Sequence, residues 1–168
     1  MRTELERTVQ PSLLDRLTDE KPAQPADSRT TREESVRLYR QSVQRDIAWL
    51  FNTRRSIVQV PDAYAELLAS VHEYGLPDTT AIAVGTMEGQ QELEAVLQEA
   101  IERFEPRLAN PRVRIVDADQ VAAPQVRFVV EAVLRMDPSP EAVVFDAVLE
   151  VARAEYDVRD AGTASPSR

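Results

Sequence analysis

The sequence predicts an α+β domain in which N-terminal helices pack on one face of a small, mainly antiparallel C-terminal sheet, a meander. Three observations predict it. Apolar residues recur at helical spacing as far as Phe104; the period changes to two after the Glu105-Pro106-Arg107 corner; and the alternating runs beyond it are separated by turn residues. Helices first and strands afterwards place the helices together on one side of the sheet.

Taken in order, Ser12 can cap a short helix over 12–17 that puts Leu13, Leu14 and Leu17 on one side, an apolar foothold in an otherwise polar segment. Thr18 to Thr30 is rich in Pro, Ala, Asp and Ser without apolar periodicity and reads as a flexible linker. Residues 1–30 are therefore expected to form a flexible segment whose helix either docks on a partner or folds back on its own core. Thr31 and Glu34 fit a capping box, and Val36, Tyr39, Val43, Ile47, Leu50 and Phe51 continue a long amphipathic helix that ends near Asn52 to Arg55. "SIVQV" allows a short extended piece.

Pro61 opens a second helix with Tyr64, Leu67, Leu68, Val71 and Tyr74 on its apolar face, stopped by Gly75; His72 lies beside that stripe as a partly exposed surface residue. From Gln90, the residues Leu93, Val96, Leu97, Ala100, Ile101 and Phe104 form a third helical face, which Pro106 ends by pushing Glu105 out of the helical region. Strands follow at "RVRIVD", "QVRFVVEAVLRM" and "EAVVFDAVLEV", the last two joined by a turn at "DPSP". The expected domain spans 31–158, with "AEYDVRD" available to cover an edge and 159–168 forming a disordered tail.

Composition bounds the function. With 29 acidic against 20 basic residues and a formal charge of −9, the chain offers no basic face for nucleic acid. It has no cysteine and one histidine, so a disulfide framework, a thiolate nucleophile and a zinc site are not expected. No cofactor is called for, since four glycines make no phosphate loop. The N-terminus lacks a secretory pattern, and no run reaches the roughly 20 apolar residues of a membrane helix. A cytoplasmic protein is expected, without direct membrane insertion.

A catalytic reading would use Glu105 as the general acid of a peptidoglycan hydrolase, with Asp117, Asp119 or Glu131 as the second carboxylate. Among 29 acids such pairs arise by chance. The local physics of "EPRL" leaves two further readings: a corner whose charged pair faces outward or bridges to nearby backbone, and a partner-binding hinge built on the planar donors of Arg107.

Taken together, "PSLLDRL", "SVQRDIAWLFNTRR", "YGLPD", "FEPRL" and the strand-rich finish resemble TssE-type baseplate subunits of type VI secretion systems, which are similar to phage baseplate-wedge proteins of the lysozyme-like GPW family. The resemblance runs over roughly residues 11–157 and keeps the family's motif order. It implies a structural, non-enzymatic domain in a cytoplasmic baseplate at the inner face of the envelope, where it supports assembly of a contractile sheath. The implied partners are TssF, TssG and TssK, the VgrG spike, and the sheath proteins TssB and TssC. Carried onto this chain, the assembly motif falls on Glu105, Pro106, Arg107 and Leu108, and the N-terminal docking motif includes Leu13, Leu14 and Leu17. The helix motif falls on Arg45, Asp46, Trp49, Asn52, Thr53 and Arg54; Ile47-Ala48 replaces the family's frequent Leu-Glu. On this reading Arg107→Ala leaves the domain folded but stops sheath assembly.

Overall fold

Two long helices close over one face of a sheet whose four strands run in chain order. The computed structural model describes residues 8–17, 31–58, 60–68, 70–116, 125–137 and 139–163. The linker at 18–30, Asp117 and Asp119, and residues 164–168 lie outside them.

Helix α1 spans Leu13–Leu17. Helix α2, Arg32–Asn52, begins where the Thr31 hydroxyl accepts the Glu34 N–H at 3.2 Å, an N-cap that satisfies an otherwise orphaned donor. Its buried stripe is Val43, Ile47, Leu50 and Phe51, as the spacing predicts, but Ser35 and Ser42 are buried with it. The second predicted helix breaks into α3, Ala65–Leu68, and a separate 3-10 turn, Val71–Glu73. Ser70 makes the break: its hydroxyl accepts the His72 N–H at 3.2 Å and donates to the Leu67 carbonyl at 2.7 Å, replacing bonds that a continuous helix would make. Helix α4, Met87–Phe104, is capped by Thr86 and buries Leu93, Leu97, Ala100 and Ile101. No strand occurs among the described residues of "SIVQV", and Ile57 is 98% exposed.

At Gly75 the backbone has φ +108°, and a Cβ there would lie 2.3 Å from the Thr53 carbonyl oxygen. Only glycine fits both demands. Leu76 can then donate to the Thr53 carbonyl and accept from Arg55, each at 2.8 Å, tying this loop to the end of α2.

The sheet comprises β1 (Leu108–Val116), β2 (Gln125–Leu134), β3 (Glu141–Glu150) and β4 (Glu155–Thr163), antiparallel throughout and ordered β1-β2-β3-β4. The fourth strand corrects the expected tail, because ordered pairing with β3 continues through Arg159 to Thr163. Tyr156 and Val158 are buried and alternate with exposed Asp157 and Arg159. Two apolar residues make too short a run to reveal a period; the β3 ladder supplies the rest.

Val126, Phe128, Val130, Ala132 and Leu134 of β2 face the helices with Val143, Phe145, Ala147 and Leu149 of β3, all in one core with the buried faces of α2 and α4. Helix α2 lies along β4 and α4 along β1. Phe51, Phe128 and Tyr156 meet with ring centroids 5.5–5.9 Å apart, pinning α2, β2 and β4 together.

Candidate assembly site

The Glu105-Pro106-Arg107 corner closes on itself. Glu105 caps α4, donating its N–H to the Ile101 carbonyl at 2.9 Å, and its own carbonyl accepts from Leu108 at 3.1 Å, where buried Leu108 starts β1. Its side chain turns inward and the residue is only 4% exposed. Arg107 returns over it: Nε donates to Oε1 at 2.6 Å, Nη2 to Oε2 at 2.5 Å, and the Arg107 backbone N–H to Oε1 at 3.2 Å. The sequence reading let this pair face outward or bridge to nearby backbone. The backbone bond is present, but the side chains face inward, since a carboxylate buried at the helix end needs donors that water cannot supply.

Arg107 also reaches α2. Nη2 donates to Asp46 Oδ2 at 2.5 Å and Nη1 to the Ser42 hydroxyl at 3.3 Å, while the guanidinium lies 5.9 Å from the Tyr39 ring centre. Burial pulls the Arg107 pKa down, but the bonds and charge of Glu105, followed by those of Asp46, hold it above its ordinary value. Asp46 accepts from Arg45 through Oδ1 at 2.9 Å, and Arg45 in turn donates to Asp15 Oδ1 at 2.6 Å. The result is one alternating chain of charge: Glu105, Arg107, Asp46, Arg45, Asp15.

Its far end is α1. Ser12 donates its hydroxyl to Asp15 Oδ2 at 2.6 Å and accepts the Asp15 N–H at 3.2 Å, which closes the first turn. Burial raises the Asp15 pKa, but Ser12 and Arg45 outweigh it and hold the carboxyl below its usual range. Upstream, buried Val9 donates its N–H to the Ser35 hydroxyl at 3.0 Å. Polar contacts thus seat α1 on α2 while Leu13 and Leu17 remain 71% and 75% exposed and Leu14 is exposed beside them. Trp49, half exposed, packs under the Arg45 guanidinium at 4.8 Å.

The rest of the helix motif lies at the other end of α2. Thr53 caps the helix, donating its N–H to the Leu50 carbonyl and its hydroxyl to the Trp49 carbonyl. Asn52 grips β4 from both sides of its amide: Nδ2 donates to the Tyr156 carbonyl at 2.8 Å and Oδ1 accepts the Tyr156 N–H at 2.9 Å. With Arg54, Leu76 and Thr79 they line an open cavity of about 570 Å³ that reaches Tyr156. Sequence reasoning missed Ser42, Ser35 and Tyr39; the available signal was a serine inside the apolar stripe of α2, where a hydroxyl must have a partner.

Glu105 is not among the residues lining this cavity, and both its oxygens are engaged by Arg107. Glu131, one suggested catalytic partner, pairs with Arg114 at 2.5 Å on the opposite face of the sheet. Among the described residues no group of three or more metal-ligating side chains occurs, and no helix is long and apolar enough to cross a membrane.

A family model described as baseplate wedge protein gp25 matches residues 37–139. The chain belongs to the baseplate wedge protein gp25 family. It is thereby a baseplate wedge-type structural component, with other baseplate components as its class of partner. The family match spans Arg45, Asp46 and the Glu105-Pro106-Arg107 corner and begins after α1. Searches among curated proteins and among solved structures return no match.

Proposed function

We propose that this wedge protein serves a type VI secretion baseplate in the cytoplasm, joining the wedge built from TssF, TssG and TssK to the TssB/TssC sheath, near the VgrG spike. The observation that carries this reading is the convergence of the N-terminal, helix and corner motifs on one chain of charge, from Asp15 through Arg45, Asp46 and Arg107 to Glu105. Residues 1–30 act as a docking segment on the 31–158 domain. Leu13, Leu14 and Leu17 enter an apolar groove of the wedge, and the charge chain holds α1 at a set angle, so less ordering entropy is lost on binding. Arg107 contributes by positioning α1 and the start of β1. On the sheet side a sheath strand extends the meander by main-chain pairing, so that the first sheath ring takes its register from the baseplate.

The test is recovery of TssF and TssG on the full-length protein. Leu13→Ser with Leu17→Ser leaves Asp15 and Arg45 in place and should lower recovery at least tenfold while the thermal midpoint stays within about 2 °C. Unchanged recovery would remove the docking role of α1.

A further inference from the structure

Two stretches of the motifs read in the sequence take no part in the charge chain: Asn52-Thr53-Arg54 at the end of α2, and Leu76-Pro77-Asp78 after Gly75. The paired bonds between Leu76 and the end of α2 bring them together. With the β3–β4 turn they surround the open cavity of about 570 Å³, and three features of its wall point to a ligand.

The first is a buried polar atom without a partner. Tyr156 is 6% exposed and belongs to the core, yet its hydroxyl makes no hydrogen bond among the described residues. Burial raises its pKa, and the neighbouring Thr79 lowers it in part, without the geometry of a hydrogen bond. A buried hydroxyl in that state costs the fold stability, which a bound acceptor restores.

The second is a pair of arginines at the exposed margin. Arg54 makes no ion pair among the described residues, and Arg153 has a loose, exposed pair with Glu150 at 3.8 Å. The third is that the nearby carboxylates are committed elsewhere. Asp78 Oδ1 accepts the Thr80 N–H at 3.1 Å and the Thr80 hydroxyl at 2.7 Å, and Arg54 acts on it only through longer-range charge. Glu155 alternates with Tyr156 onto the opposite face of β4. In a chain of formal charge −9, Arg54 and Arg153 thus keep donors for an incoming carboxylate.

We propose that this cavity receives an extended acidic segment of the wedge partner, whose carboxylate is held by Arg54 and Arg153 and whose main-chain carbonyl accepts the Tyr156 hydroxyl. Thr79, beside that hydroxyl, turns aside to admit it. Pro77, half-buried in the wall, offers an apolar surface to the residue next to the acid. The contact is separate from α1, so the partner grips the chain at two places and each raises the effective concentration of the other. This rests on the wedge reading above.

Affinity of the full chain for the purified TssF–TssG pair tests it. Tyr156→Phe keeps the ring and removes only the hydroxyl, so the thermal midpoint should hold or rise while Kd increases about fivefold. Arg54→Gln with Arg153→Gln should weaken binding about tenfold and flatten its salt dependence. Arg54→Lys keeps the charge and supplies an amine that a carbodiimide joins to a touching carboxylate; the expected product links position 54 to an Asp or Glu of TssF or TssG. A lower midpoint with unchanged Kd in Tyr156→Phe gives the hydroxyl a structural role and overturns the proposal. Wild-type affinity of the arginine double variant, or cross-linking to Asp78 alone, overturns it too. These outcomes leave the wedge reading intact. Absence of TssF–TssG binding by the wild type overturns that reading and this proposal with it.

Discussion

Arg107 is held by two carboxylates and a hydroxyl, and its removal leaves Glu105 buried without its principal donors. Breaking one partner of a buried pair is costly, because the remaining charge keeps its desolvation penalty. Arg107→Ala should therefore cost about 2–4 kcal/mol in chemical denaturation. Arg107→Lys retains the charge but lacks the planar fork and should recover only part of the loss. Asp15 gives the corresponding pH behaviour. Its folded pKa is depressed, so its contribution is present above the unfolded value and is lost as the pH falls through the folded one. The single tryptophan, Trp49, sits under Arg45 and reports this: its emission should change as the pH falls below the ordinary carboxylate range. Asp15→Asn should produce the change already at pH 7; an emission indifferent to both would remove the Asp15–Arg45 contact as the seat of α1.

At the scale of elements, the helices take backbone groups on both sheet edges as well as covering one face. Asn52 supplies donor and acceptor to Tyr156, so Asn52→Ala frees both groups of β4 at once. The expected loss is about 1–3 kcal/mol, with self-association rising in sedimentation velocity as that edge opens. Glu94→Ala, which frees the Ile115 N–H alone on β1, should promote self-association with a smaller loss of stability. The element pattern was largely legible: α2, α4 and the alternation in β1, β2 and β3 follow from spacing, and Pro106 marks the helix end. Two elements were not. The second helix yields to Ser70, whose hydroxyl competes with backbone bonds, and β4 shows only Tyr156 and Val158 as apolar signal.

For the whole molecule, the contact chain from Glu105 to Asp15 links the start of β1 to α1 across α2, so the sheet and the N-terminal helix share one support. Salt sensitivity follows from that shared support. Raising ionic strength should loosen α1 before the core unfolds, since the outer Asp15–Arg45 pair is partly exposed while the core cluster is apolar. Trp49 emission and far-ultraviolet circular dichroism should separate along a salt titration; coincident curves would show α1 to be bound by more than charge. The candidate site was legible as motifs but not as a site. Arg45, Asp46 and Glu105 stand out by type and order, yet nothing in their spacing shows that they touch.

By itself the sequence determined the helix-then-strand order, the helix terminus at Pro106, the glycine at position 75 and the acidic balance of the chain, because each depends on local backbone preference or on composition. Only the tertiary structure decided that Arg107 turns inward, that α1 presents its leucines outward, and that α2 takes backbone groups of Tyr156 and Val158 on the free edge of β4. These depend on groups as much as 114 residues apart, as in the bond from Gln44 to Val158, and burial without a hydrogen-bond partner is what makes them choose one another.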